Sequence, residues 1–206
     1  MTKTTALLAL LLPSVALAEA GPREVSLERS QLSNMGSAWN LFADEDGLMT
    51  SGIGVAQDLD KNLSVVASYH FGQAGSENSV PEDPGSAEGF VAAFTAHQFT
   101  AGVRGDLGGT AFVQPFVTAK ATALLGVVRL DDDLDSDENL TQTQASGIAP
   151  GAVLAGGISG LIPVGPVQVR LDTELGYARS LSMGIEDIGS LQFSGFHMRW
   201  GAGVRF

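Results

Sequence analysis

The chain contains no cysteine among its 206 residues. That excludes disulfides, thiolate catalysis, cysteine-ligated zinc and lipid attachment through an N-terminal Cys. Charged residues are scarce at 17 %, and cations scarcer still, with 11 Lys and Arg against 23 Asp and Glu. A net charge of -12 lacks the basic stripe that nucleic-acid binding requires, so no nucleic-acid partner is expected. Beyond the N-terminus no run approaches the roughly 18 apolar residues of a membrane-spanning helix. Gly is abundant, at 26.

The one compact apolar run opens the chain. In MTKTTALLALLLPSVALA, Lys3 supplies a basic start, Ala6 to Leu12 an apolar stretch, and Ala16-x-Ala18 a small-residue ending. This is the pattern of a cleavable export signal. The reading assigns 1–18 to a signal peptide, 19–32 to a short N-terminal segment in the periplasm, and 33–206 to one folded domain.

That domain is written in period 2. In GFHMRWGAGVRF, Phe196, Met198, Trp200, Ala202, Val204 and Phe206 share one parity, and His197, Arg199 and Arg205 share the other with glycines. VQVRLDTELGY repeats the pattern, with Val167, Val169, Leu171, Leu175 and Tyr177 opposite Gln168, Arg170, Asp172 and Glu174. Alternation of this kind places the two sets on opposite faces of a strand. About eight such segments follow one another, near 33–42, 48–57, 62–72, 89–105, 111–129, 147–162, 166–180 and 191–206. Compact turns such as DLDKN, DLGG and PVGP alternate with acidic connections around 43–47, 73–88, 131–145 and 182–189. The expected fold is an all-β, eight-stranded antiparallel up-and-down barrel, with short turns and both termini at one end.

Parity alone does not say which face is inside. An export signal, small residues crowding the polar face, and aromatics near strand ends favour lipid outside and charge inside. Those aromatics include Trp39, Phe42, Tyr69, Phe71, Phe99, Phe112, Tyr177, Phe196 and Trp200. The expected fold is thus a transmembrane barrel with Arg104, Lys120, Arg170, Asp172, Glu174, Arg199 and Arg205 meeting in its lumen. A structural network is the favoured reading of these charges; a selectivity filter is the alternative.

GLMTSGIGVAQDLDKNLSVVASYHFG and the ending WGAGVRF resemble the small outer-membrane barrels of Gram-negative bacteria, the OmpA-type and OmpX-type eight-stranded class. The resemblance implies residence in the outer membrane among lipid and lipopolysaccharide, as a monomer. It also implies that Trp200, Ala202, Val204 and Phe206 form the signal read by the barrel assembly machinery. Two-domain members carry a peptidoglycan-binding domain after the barrel; this sequence stops at the barrel, so cell-wall tethering is not implied.

The functional expectation is non-enzymatic: envelope integrity or surface interaction through the acidic loops. A narrow ion or solute channel is the alternative, and a lipid A-modifying enzyme a weaker one. For catalysis, His70 with Ser76 and His197 offer a nominal inventory, yet no spacing singles out a nucleophile and base. Asp131, Asp133, Asp135 and Asp137 alternate in one loop and suit weak Ca²⁺ or Mg²⁺ binding. They lack the spacing of a dedicated loop and read first as a solvated acidic segment. No cofactor is expected.

Overall fold

The computed structural model describes residues 23–33, 35–43, 47–83, 86–132, 142–185 and 189–206. The expected signal peptide and the loop carboxylates Asp133, Asp135 and Asp137 lie outside the described residues.

Eight long strands close into an antiparallel barrel. They are β1 (Arg23–Ser33), β2 (Gly47–Asp60), β3 (Leu63–Asp83), β4 (Ser86–Asp106), β5 (Val113–Asp132), β6 (Gln142–Val164), β7 (Val167–Ser180) and β10 (Ser194–Arg205). Each pairs with its neighbour in sequence, and β1 closes the circle against β10. Between β7 and β10 a small hairpin, β8 (Met183–Ile185) and β9 (Gly189–Leu191), forms a separate two-stranded sheet. Closure leaves no exposed sheet edge along the paired lengths.

The short connections are the ones the turn chemistry indicates: 61–62 after β2, 107–112 after β4, and 165–166 after β6. Gly165, at φ 60°, supplies the left-handed residue that the tightest of them needs. The start of β1 and the end of β10 lie at this same end, where Arg23 and Phe206 exchange backbone hydrogen bonds of 2.8 and 2.9 Å.

The wall is apolar and the interior polar. Leu27, Val55, Val117, Leu154, Ile158, Leu171, Leu175 and Val204 are all exposed, while Arg104, Arg170, Asp172, Glu174 and Arg199 are buried. A water-soluble barrel distributes these the other way round. This is the architecture of a membrane-spanning eight-stranded barrel, with lipid replacing water at the wall.

Three expectations are corrected. The first strand is Arg23–Ser33, so residues assigned to a periplasmic segment are barrel wall; Val25 and Leu27 face outward, and Glu24, Ser26 and Ser30 are buried within. The stretch expected as that strand instead holds a 3-10 turn at Ser37–Leu41. The connection at 73–88 is mostly strand, with β3 and β4 paired out to Asp83 and Ser86. A ladder continues as long as each strand has a partner, whatever its side chains. Finally, Trp39 and Phe42 are not in an aromatic belt: they are 1 % and 0 % exposed, inside the barrel.

Candidate functional site: a lumen filled at two levels

Inward-facing positions divide the lumen into a charged half near the short turns and an apolar half near the long connections. The charged half begins where Arg205 Nη2 meets Asp58. Arg104 donates to Asp106 at 2.9 Å, Asp172 at 3.1 Å and Ser159 Oγ at 2.5 Å. Its guanidinium carbon lies 3.5 Å from the Phe116 ring centroid, a cation–π contact that covers its apolar side. Arg170 reaches Glu24 at 2.9 Å and Asp172 at 3.0 Å. These groups come from β1, β2, β4, β6, β7 and β10, so the network ties nearly the whole circumference together.

One layer higher, Lys120 Nζ donates to both oxygens of Glu174, at 2.6 and 2.9 Å. Arg199 bridges Glu174 at 2.9 Å and Glu28 at 2.8 Å. His70 Nε2 lies 3.1 Å from Glu28, and His197 Nε2 lies 3.4 Å from Glu174. The result is one chain of ionisable groups, His70–Glu28–Arg199–Glu174–His197, with Lys120 as a branch. Six of the seven lumen charges named from the sequence meet in this network, and the seventh, Arg205, faces the same lumen in a separate pair with Asp58. The network further draws in Glu24, Glu28, Asp106, Ser159, His70 and His197.

Small residues make room for it. Gly102 on β4 pairs with Lys120 on β5, and a Cβ there would lie 2.6 Å from the Lys120 Cα. A cavity of about 30 Å³ remains, bounded by Glu24, Glu28, Arg104, Lys120, Asp172 and Arg199. It has room for a water or two. Along the charged half Ser30 Oγ, Gln98 Oε1, Thr118 Oγ1, Thr122 Oγ1 and Nδ1 of both histidines have no hydrogen-bond partner among the described residues. Buried groups of this kind are the ordinary hosts of internal water.

The apolar half is closed by two inserts. In SAWNL the 3-10 turn repeats every three residues, which brings Trp39 and Phe42 to one side. Gly36, at φ 87°, turns the chain into it. Trp39 meets Phe94 edge-on at 5.4 Å, and Phe42 lies 5.7 Å from Phe94. The second insert is the β8–β9 hairpin with Phe193, which buries Met183, Leu191 and Phe193 in the same cluster as Leu32, Leu48, Leu124 and Val128. Gln192 N donates to Met35 O at 3.3 Å and joins the two inserts. Ser76 Oγ donates to Leu41 O at 2.7 Å, anchoring the 3-10 turn to β3. The parity break at Leu191 and Phe193 thus marks a segment that leaves the wall and turns into the lumen.

The remaining sequence-selected residues fall elsewhere. Trp200, Ala202, Val204 and Phe206 point outward along β10, with Phe206 62 % exposed. Asp131 lies near the loop end of β5, paired with Gln142. His70 sits in the lumen, on the charge chain. Ser76 serves the 3-10 turn. Among the described residues no cluster of three His, Asp or Glu is arranged to hold a metal ion.

No family model and no curated protein matches the chain. Solved structures do. The chain is similar to Neisserial surface protein A, at 16 % identity over 89 % of this chain and 94 % of that one, with a TM-score of 0.42. It is similar to the attachment invasion locus protein Ail of Yersinia pestis, at 15 % identity over 90 % and 99 %, with a TM-score of 0.47. It is also similar to the outer membrane protein OprG of Pseudomonas aeruginosa, at 11 % identity over 91 % and 96 %, with a TM-score of 0.44.

Proposed function

We propose that the chain is an exported, monomeric barrel of the Gram-negative outer membrane that neither conducts nor catalyses. In this reading it contributes to envelope integrity and meets other molecules through the acidic connections at its long-loop end. Residues 1–18 direct export, and Trp200, Ala202, Val204 and Phe206 engage the assembly machinery before the barrel reaches its lipid.

The observation that carries the non-conducting reading is the filling of the lumen at two levels by unlike materials. An ion crossing the barrel has to pass a charge network in which Lys120, Arg199 and Glu174 are mutually satisfied. It then meets the apolar cluster around Trp39 and Phe94, whose side chains offer nothing to replace its hydration shell. Outward orientation of the long connections is supported by the short turns and the strand ends lying together, the arrangement of small outer-membrane barrels.

The test is single-channel recording of the refolded mature protein in a planar bilayer, with gel mobility before and after heating. Heat-modifiable mobility without conductance is expected. Reproducible conductance would overturn the sealed lumen and favour the channel. Altered lipid A acylation in cells expressing the protein, lost in His70→Ala or His197→Ala, would overturn the non-enzymatic reading.

A further inference from the structure

Outside the lumen, four rings form a second aromatic cluster on β3 and β4. Tyr69 and Phe99, and Phe71 and His97, are direct partners in the ladder between these strands. The ring centroids of Tyr69 and Phe99 lie 5.1 Å apart, those of Phe71 and His97 5.3 Å, and those of Tyr69 and His97 6.2 Å. All four share the outward parity of their strands; Phe71 is 39 % exposed and the other three are half-buried. A histidine on a wall that faces lipid is costly unless its nitrogens are met. Tyr69 Oη lies 2.8 Å from His97 Nδ1, which meets one of them. Whichever of the two carries the proton, His97 Nε2 is left without a partner among the described residues.

The cluster stands at the upper edge of the apolar band. Below it the outward residues are Val65 and Ala67 on β3, with Ala101 and Val103 across from them on β4. Above it the next outward pair is polar, Gln73 with Thr95. Leu63 and Phe71 are eight positions apart on β3, about 20 Å of height on a tilted strand, against an apolar band about 25 Å tall. Aromatic side chains at the end of such a band mark the level of lipid headgroups. The surroundings carry no cation. β2, β3 and β4 hold a single Lys or Arg among them, Arg104, and it is buried in the lumen.

We propose that Phe71, His97, Gln73 and Thr95 form a binding site for a sugar of a glycolipid headgroup in the leaflet at the long-loop end. This rests on the membrane reading above. A sugar ring presents C–H bonds on its faces and hydroxyls around its rim. The C–H bonds suit an exposed aromatic face, whose π-cloud is electron-rich. The hydroxyls both donate and accept, and so do the groups around Phe71: the Gln73 amide, the Thr95 hydroxyl, and the Tyr69–His97 pair in either tautomer. A lipid phosphate only accepts, and it would find no guanidinium or ammonium on these strands. The apolar wall below, where Ala67 and Ala101 are directly paired, is the kind that acyl chains cover. That commits the occupant to a membrane-anchored sugar rather than a free one.

The histidines report on this site, because the other two, His70 and His197, are buried inside the lumen. The protein is refolded into phosphatidylcholine nanodiscs containing a small fraction of galactosyl diacylglycerol or of phosphatidylglycerol with matched acyl chains. Proton NMR follows the imidazole C–H signals, and His97→Gln assigns that of His97. Nuclear Overhauser contacts from the galactose ring protons to His97, and to neither lumen histidine, are expected. Titration of the His97 signal should show the galactolipid bound about fivefold more tightly than phosphatidylglycerol, a ratio within the worth of one ring contact. Phe71→Leu, which keeps an apolar side chain without the ring, should remove most of that ratio. Heat-modifiable mobility confirms that each variant is folded. Equal binding of the two lipids, tighter binding of phosphatidylglycerol, or a ratio that survives Phe71→Leu would overturn the sugar site and leave the membrane barrel standing. A folded protein in which His97 contacts water and no acyl-chain protons of either lipid would overturn the membrane reading itself.

Discussion

Lys120 and Glu174, on β5 and β7, meet inside the barrel with one ammonium on both oxygens of one carboxylate, at 2.6 and 2.9 Å. Arg199 holds the same carboxylate from β10. Removing Glu174 therefore strands Lys120 and takes one carboxylate from Arg199, which keeps Glu28. Glu174→Ala is expected to destabilise the barrel by about 3–5 kcal/mol, whereas replacing both partners in Lys120→Met with Glu174→Gln should recover a large part of the loss. Urea midpoints of the refolded protein, read by gel mobility, measure both. A double variant as unstable as Glu174→Ala alone would show that Lys120 is not the partner that matters.

The apolar seal gives a separate prediction. Phe94 is fully buried against Trp39 and Phe42. Phe94→Ala should cost about 3–5 kcal/mol by leaving a cavity. It should also shift Trp39 emission toward the red as water gains access. Phe196→Ala removes a ring of the same size from the lipid side, and is expected to cost less than half as much and to leave Trp39 unchanged. Equal losses would mean that the plug is not packed as a core.

Because the two fillings lie in series, neither alone decides permeation. Phe94→Ala with Trp39→Ala, and separately Lys120→Ala with Glu174→Ala, should each remain non-conducting. All four substitutions together are expected to yield measurable single-channel currents, provided heat-modifiable mobility is retained. Current from either pair alone would place the whole barrier at one level.

Met183 of the small hairpin is seated over glycines. A Cβ at Gly126 would lie 2.6 Å from Met183 Cε and 2.8 Å from Phe94 Cε2. At Gly147 it would lie 2.9 Å from Met183 Sδ. Gly147→Val should lift the hairpin without breaking the wall. Proteolytic cleavage within residues 181–193 is expected to quicken several-fold, while the urea midpoint moves by less than for Phe94→Ala. Unchanged cleavage would mean that the hairpin adjusts around the added side chain.

The wall and the charges were legible because they obey the strict alternation of paired strands. In VQVRLDTELGY and FHMRWGAGVRF every lumen charge falls on the parity opposite to the outward apolar residues of its strand. The plug was not legible, since its residues do not belong to wall strands. Trp39 and Phe42 are three apart, a spacing that serves a 3-10 turn and carries no parity. Leu191 and Phe193 stand on the opposite parity from Phe196, but a bulge breaks parity in the same way as an inward turn does. Glu24 and Glu28 were hidden for a different reason. REVSLERS alternates, but Val25 and Leu27 are its only apolar residues, and a short amphipathic stretch beside the expected export signal does not announce itself as wall.

The ladder between β1 and β10 has a temporal consequence. Leu27 pairs with Ala202 and Arg29 with Trp200, so the first strand finds its partner across most of the sequence. No partial chain contains a closed cylinder, and contacts of that span form late. Under the export proposed above, the polypeptide crosses an aqueous compartment with its future wall uncovered, and a collapsed tangle would end the journey there. Apolar residues diluted one for one with polar ones, and a strongly negative overall charge, keep such a traveller dispersed until a bilayer offers it a place to close.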